Sequence, residues 1–295
     1  MRIGLEKFAG AFPALLTAFD ASGKVQTEPM RQLVRDLILQ DVTGFYVNGS
    51  SGEAMMLSVE ERMDVFEAVA AEAKGEATLI AHVGTISQND AVKLAQHAAD
   101  HGADAVSAVP PFYYKFSFEE ICGYYRAIAD VGLPVVVYNI PATSGVTMTT
   151  AQLVSLLQDE RIIGVKHTST DYFQLECIRA AMPDVVLYNG YDETYLAGQV
   201  MGANGGIGTT YNFMPAKFQA ISRAVARGDI AAAKAQQQSA NRVIEAMLPM
   251  GVLPATKVIL EAQGYDFGTC RPPFRTLTEE EKTALLAVCE QESVL

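Results

Sequence analysis

Short apolar runs rich in β-branched residues alternate along the chain with stretches whose apolar positions recur every three or four residues. A period near 3.6 gathers apolar side chains on one helix face, whereas a short continuous apolar run suits a strand buried on both sides. The pattern predicts strands at Phe12–Thr17, Gly44–Val47, Thr78–Val83, Ala105–Val109, Val135–Tyr138, Ile162–Lys166, Val185–Tyr188 and Gly205–Gly208. Helices are expected between them: near Glu28–Gln40 with Pro29 in its opening turn, from about Ser58, over Asp90–His101, and after Ser117 and Thr149. Ser58 with Glu61, Ser117 with Glu120, and Thr149 with Gln152 have the spacing of a capping box, in which each partner satisfies a backbone N–H at the helix start.

Eight β–α units in series, with no shift of composition between them, predict a closed parallel (β/α)8 TIM barrel of the α/β class. An open doubly wound sheet is the competing arrangement, but no G-x-G-x-x-G follows the first strand. Three further helical runs, Asp229–Met247, Thr256–Ala262 and Thr278–Cys289, exceed what the barrel needs. The expected organisation is a barrel over 1–225 and a helical extension over 226–295 packed on it, with Gly264–Pro273 as an ordered loop.

A barrel places chemistry where strands run into the loops that follow them. Those positions hold Asn48-Gly49-Ser50-Ser51-Gly52-Glu53, Pro110-Pro111-Phe112-Tyr113-Tyr114, Tyr138-Asn139-Ile140-Pro141, Lys166-His167-Thr168, Asn189-Gly190-Tyr191-Asp192-Glu193 and Gly208-Thr209-Thr210-Tyr211. Lys166 stands out, because an ammonium at the end of a buried strand loses hydration and must find a carboxylate or give up its proton. The surrounding Ile162–Thr170 contains no carboxylate, and from this stretch alone a strand-end lysine that snorkels to solvent or joins an ion pair is the commoner reading, with a nucleophilic amine as the alternative. His167 should point away from Lys166 by strand alternation. No role is assigned to His82, His97 or His101, and Glu53 reads as a loop or helix-entry residue.

Composition narrows the partners. A formal net charge of −12 disfavours nucleic acid and anionic membrane surfaces. No apolar stretch approaches the roughly 18 residues of a membrane span, and Met1-Arg2-Ile3-Gly4-Leu5 opens no signal-like apolar segment. Cys122, Cys177, Cys270 and Cys289 are widely spaced without a metal-ligand pattern, so free thiols, a cytoplasmic location and no metal are expected.

The G-S-S-G-E loop at 49–53, the Y-N-I-P strand end at 138–141 and the G-V-K strand end at 164–166 resemble the pyruvate-dependent aldolase superfamily that contains dihydrodipicolinate synthase and N-acetylneuraminate lyase. The runs I-A-H-V-G, D-A-V-S-A-V, L-Y-N-G-Y-D-E and G-G-I-G-T-T-Y-N-F-M are similar to the lyase branch, and the likeness extends from about Phe12 to Phe274. It implies a class I aldolase that cleaves a sialic acid to an N-acetylated sugar and pyruvate with no cofactor beyond a Schiff base through Lys166. By the same resemblance Tyr138 shuttles protons, Ser50 and Ser51 hold the keto-acid carboxylate, and Thr168, Gly190, Asp192, Glu193, Thr209 and Leu253 meet the sugar.

Tyr113 matches a residue lent to a neighbouring subunit, which implies a homotetramer. The chain departs from the family's usual residues at Ser51 (threonine), Thr209 (serine) and Leu253 (phenylalanine). At Thr143 the synthases carry arginine and the lyases leucine. A hydroxyl is a poor substitute for an arginine fork, which counts against the synthase reaction. Two other readings are an aldolase or dehydratase of the same superfamily acting on another 2-keto-3-deoxy sugar acid, and a non-catalytic sugar-acid sensor.

Overall fold

The protein is described here by a computed structural model covering residues 4–295. After a 3-10 turn at Glu6–Phe8 come β1 (Gly10–Pro13), a small antiparallel hairpin of β2 (Ala18–Phe19) and β3 (Val25–Gln26), and α1 (Glu28–Ile38). Strands and helices then alternate as β4 (Gly44–Val47), α2 (Val59–Ala73), β5 (Thr78–His82), α3 (Gln88–Asp100), β6 (Ala105–Ala108), α4 (Phe118–Ala129) and β7 (Val135–Asn139). The short α5 (Pro141–Ser144) precedes α6 (Thr150–Leu157), β8 (Ile162–His167), α7 (Tyr172–Ala181), β9 (Val186–Asn189), α8 (Tyr195–Val200), β10 (Gly205–Gly208) and α9 (Pro215–Ala226). Three helices follow: α10 (Ile230–Met247), α11 (Val252–Ala262) and α12 (Glu279–Gln291).

Eight strands pair in parallel in the order β1-β10-β9-β8-β7-β6-β5-β4. The circle closes where Ala14 bridges Tyr46, with the Leu15 N–H donating to the Tyr46 carbonyl at 3.0 Å. The fold is therefore the expected (β/α)8 barrel. Ser58, Ser117 and Thr149 each form the predicted capping box, and Thr278 forms a fourth with Glu281. Such caps contribute about 0.5–2 kcal/mol each.

Two boundaries differ from the sequence pattern and one hairpin is added to it, each for a physical reason. The first strand ends at Pro13 rather than Thr17, because the chain crosses from β10 to β4 at Ala14, and Leu15 and Leu16 join the shell between strands and helices. The helix α11 starts at Val252 and not at Thr256, since Pro254 falls in its first turn, where a missing N–H costs nothing. The two-residue strands of the β2–β3 hairpin are too short to give a period.

The core has two layers. Phe12, Tyr46, Ile80, Val136, Tyr138, Ile163, Val186, Tyr188 and Ile207 fill the barrel, and a larger cluster joins the strands' outer faces to the helices. Among the described residues no single helix is long and apolar enough to cross a membrane.

Candidate functional site

Lys166 reaches the barrel interior because β8 carries one extra residue. Val135 of β7 pairs with Ile162 but Val136 pairs with Gly164, so the register slips around Ile163. Ile163 faces the barrel interior and Val165 the helix layer. Strict alternation from Ile163 would have sent Lys166 outward; the bulge re-aims it. Gly164 permits the bulge, as a Cβ there would lie 2.1 Å from the Val186 carbonyl oxygen. Beyond the bulge, Lys166 pairs with Tyr138 on one side and Tyr188 on the other.

The lysine is 4% exposed, and its Nζ stands 4.0 Å from the Tyr138 ring centre and 4.5 Å from that of Tyr46. No ion pair joins it to a carboxylate among the described residues. The surrounding aromatics are themselves held in place. Tyr46 donates to Ser107 Oγ at 3.0 Å, and Tyr138 lies edge-on to both Tyr46 and His82. His82 donates from Nδ1 to the Asn48 carbonyl and accepts the Val109 N–H at Nε2, a neutral imidazole that ties two strand-end loops together. Burial and the neighbouring Arg62 guanidinium press its pKa well below the ordinary value. His167, by contrast, faces the helix layer, as expected, where Asn139 and the Asp171 carbonyl engage its ring.

Above the lysine opens a pocket of about 350 Å³. Ser50, Ser51, Tyr138, Lys166, Thr168, Gly190, Asp192, Glu193, Thr209 and Leu253 all line it, so nearly every residue singled out from the sequence converges there. Tyr113 and Thr143 do not. Tyr113 is 83% exposed, with a left-handed φ of 77°, and borders a separate groove with Tyr114, Phe116 and Met148. Thr143 sits exposed on α5.

The serine loop is a 3-10 turn, Ser50–Gly52, in which Ser51 Oγ meets Thr209 Oγ1 at 2.7 Å and Thr17 Oγ1 donates to the Gly52 carbonyl. Hydroxyls grouped at such a turn suit a carboxylate without a full positive charge. Across the pocket, Thr168 Oγ1 is buried with no protein hydrogen-bond partner. Its position requires Gly190, where a Cβ would come within 1.8 Å of that oxygen.

Asp192 is buried, and its Oδ2 accepts from both the N–H and the hydroxyl of Thr210, at 2.8 and 2.7 Å. Burial nevertheless raises its pKa to about 6. Glu193, the second member of the acidic pair, is less enclosed.

The pattern of the chain did not reveal how much the last three helices contribute. Ile244, Leu248 and Val252 join Leu253 in one wall of the pocket. From α10, Gln237 and Asn241 donate to the backbone carbonyls of Asp192 and Glu193, each at 3.0 Å. From α11, Lys257 Nζ pairs with Glu53 Oε1 at 3.0 Å, immediately after the serine loop. Glu53 also accepts the Arg271 N–H, and the Arg271 side chain grips Glu61 and the Gly23 carbonyl. Glu53 thus lies outside the pocket and fastens its serine loop to the extension. Tyr46 was also missed, although an aromatic residue at an inward strand position beside the lysine could have signalled it.

A parallel barrel whose β8 lysine is buried under aromatic rings, beside a serine turn and a hydroxyl-lined cavity, belongs to the class of lysine-centred (β/α)8 enzymes. The chain is a member of the Dihydrodipicolinate synthetase family, which it matches over residues 7–292. It is 50% identical over 281 residues to the N-acetylneuraminate lyase of Rhizobium meliloti, covering 95% of this chain and 93% of that one. A Clostridium difficile protein, CdNal, solved in complex with mannosamine, superposes with a TM-score of 0.94 at 38% identity, covering 96% of this chain and 99% of that one. A catalytic-lysine mutant of the Ruminococcus gnavus sialic acid aldolase also gives 0.94, at 33% identity over 100% of both chains.

Proposed function

We propose that this chain is a class I aldolase that cleaves N-acetylneuraminate to N-acetylmannosamine and pyruvate. The observation that carries the reading is Lys166, buried between Tyr46 and Tyr138 at the floor of the pocket with no carboxylate paired to it. The 50% identity to a lyase of that specificity supports the substrate.

In the open-chain sugar acid, Lys166 Nζ adds to the C2 carbonyl and water leaves, giving a protonated imine. Tyr138 gives its proton to that departing water and, as the phenolate, takes the proton from the C4 hydroxyl as the C3–C4 bond breaks, and the bonding pair flows into the imine. The aldehyde of N-acetylmannosamine departs. The remaining enamine is protonated at C3, and water hydrolyses the imine to release pyruvate and restore the lysine. The imine itself is the electron sink, so the reaction calls for no cofactor or metal.

Ser50 and Ser51 hold the C1 carboxylate. Thr168, Asp192, Glu193 and Thr209 meet the polyhydroxylated chain, Gly190 makes room for the Thr168 hydroxyl, and Leu253 supplies an apolar contact. Free cysteines suit a cytoplasmic enzyme. The exposed Tyr113 ring suits insertion into a neighbouring subunit of a homotetramer.

Borohydride reduction in the presence of pyruvate should add a three-carbon fragment to the peptide bearing Lys166; an unmodified lysine overturns the mechanism. Pyruvate release from N-acetylneuraminate should greatly exceed that from 2-keto-3-deoxygluconate. The reverse preference would assign another sugar-acid substrate, a change that Leu253 in the pocket wall makes worth testing. Binding without pyruvate release would mark a sensor.

A further inference from the structure

Outside the pocket, three metal-ligating side chains converge on the helical shell. Glu67 of α2, His97 of α3 and His101, the residue that caps α3, bring one ligand atom each to within 4.8 Å of one another. His97 Nε2 lies 2.8 Å from Glu67 Oε1 and His101 Nε2 lies 3.5 Å from the same oxygen. The two imidazoles stack with ring centres 4.2 Å apart, as residues four apart on one helix face can.

The lone-pair directions are set by a second hydrogen bond. His101 Nδ1 lies 2.8 Å from the His97 carbonyl, which can only accept, so Nδ1 carries the proton and Nε2 offers its lone pair toward Glu67. His97 Nε2 now shares a proton with Glu67, and that contact is the first cause of the carboxylate's lowered pKa. The negative end of the α3 dipole also favours a cation at this place.

We propose that Glu67, His97 and His101 form a surface site for one divalent transition-metal ion, zinc being the best match, which clips α2 to α3. Two imidazoles and a carboxylate are a zinc ligand set, and a tetrahedral ion with bonds of about 2.1 Å holds its ligands about 3.4 Å apart. Glu67 and His101 are exposed enough to close the remaining distance. The ion takes the place of the proton between His97 and Glu67, and His97 presents Nε2 to it with its single ring proton on Nδ1. A water completes the shell. The cluster sits near the C-terminal end of α3, and the pocket opens from the C-terminal ends of the strands, so the ion takes no part in the carbon chemistry.

The test is calorimetric titration of untagged, chelator-stripped protein with zinc, paired with thermal unfolding. The expected result is one ion per chain and a zinc-dependent rise in unfolding temperature. H101A and E67Q should each weaken binding about tenfold or more. Turnover should be the same with zinc or chelator. Cobalt substituted for zinc should give a spectrum without a thiolate charge-transfer band. Binding that is undiminished in H101A, a thiolate band, or no saturable binding below millimolar zinc overturns the proposal and leaves a histidine–glutamate hydrogen bond only.

Discussion

Lys166 and Lys257 are both buried, at 4% and 2% exposure, and both stand over aromatic rings: Tyr138 and Tyr46 for one, Phe19 for the other. They differ in what else they touch. Lys257 donates to the Thr269 carbonyl and pairs with Glu53, and burial lowers its pKa while Glu53 pulls it back up. Lys166 has a pocket in front of it in place of a carboxylate. A buried amine with an acid beside it is a clamp; the same amine with open space before it can attack a carbonyl. In this molecule the clamp supports the wall of the pocket in front of Lys166, since Lys257 fastens the residue that follows the serine turn.

The contrast breaks most sharply at Lys166. K166A should lower pyruvate release by roughly 10⁴-fold, the scale of losing a covalent nucleophile, while leaving the unfolding temperature near wild type. Y138F should cost about 10²–10⁴-fold in kcat, the usual range for a general acid–base group, with borohydride trapping of pyruvate retained. A steady-state assay together with mass spectrometry of the reduced protein checks both.

At the clamp the effect should move from rate to stability. K257M leaves Glu53 buried without its counter-ion, held only by the Arg271 N–H, which is expected to destabilise the fold by about 3–5 kcal/mol, whereas K257M with E53Q should regain part of that loss. Thermal unfolding of the three proteins measures the difference. A K257M protein of wild-type stability would show that the pair holds nothing together.

The smallest expected effect lies at Asp192. Its carboxyl is raised from 3.8 to about 6 in the folded protein, so the fold holds this proton more tightly than the unfolded chain does. The resulting stability is fully present below about pH 3.8 and is lost as pH rises through about 6. D192N should remove that loss, so its stability relative to wild type should improve by about 1–3 kcal/mol between pH 4 and 7. Unfolding midpoints across that range test it, and a constant difference would refute the assignment. Since Asp192 also lines the pocket, KM for N-acetylneuraminate should rise in the same variant.

Much of this was legible in the chain. The eight β–α units, three capping boxes and nine of the ten pocket residues follow from periodicity, local capping chemistry and strand-end position, all of which act over a few residues, whereas Leu253 was reached only through the family resemblance. The clamp was not legible, because Glu53 and Lys257 are some two hundred residues apart and nothing local marks either as the other's partner. The same holds for Gln237 and Asn241, which support the Asp192–Glu193 backbone from α10.

By itself, then, the sequence determined the barrel and the lysine at the end of its buried run, with no acid between Ile162 and Thr170. Tertiary structure decided which way that lysine points and what supports it. One extra residue in β8, invisible until the strand is paired with β7, turns Lys166 inward. Strand register and long-range ion pairing are relations between segments, and a single segment's composition does not contain them.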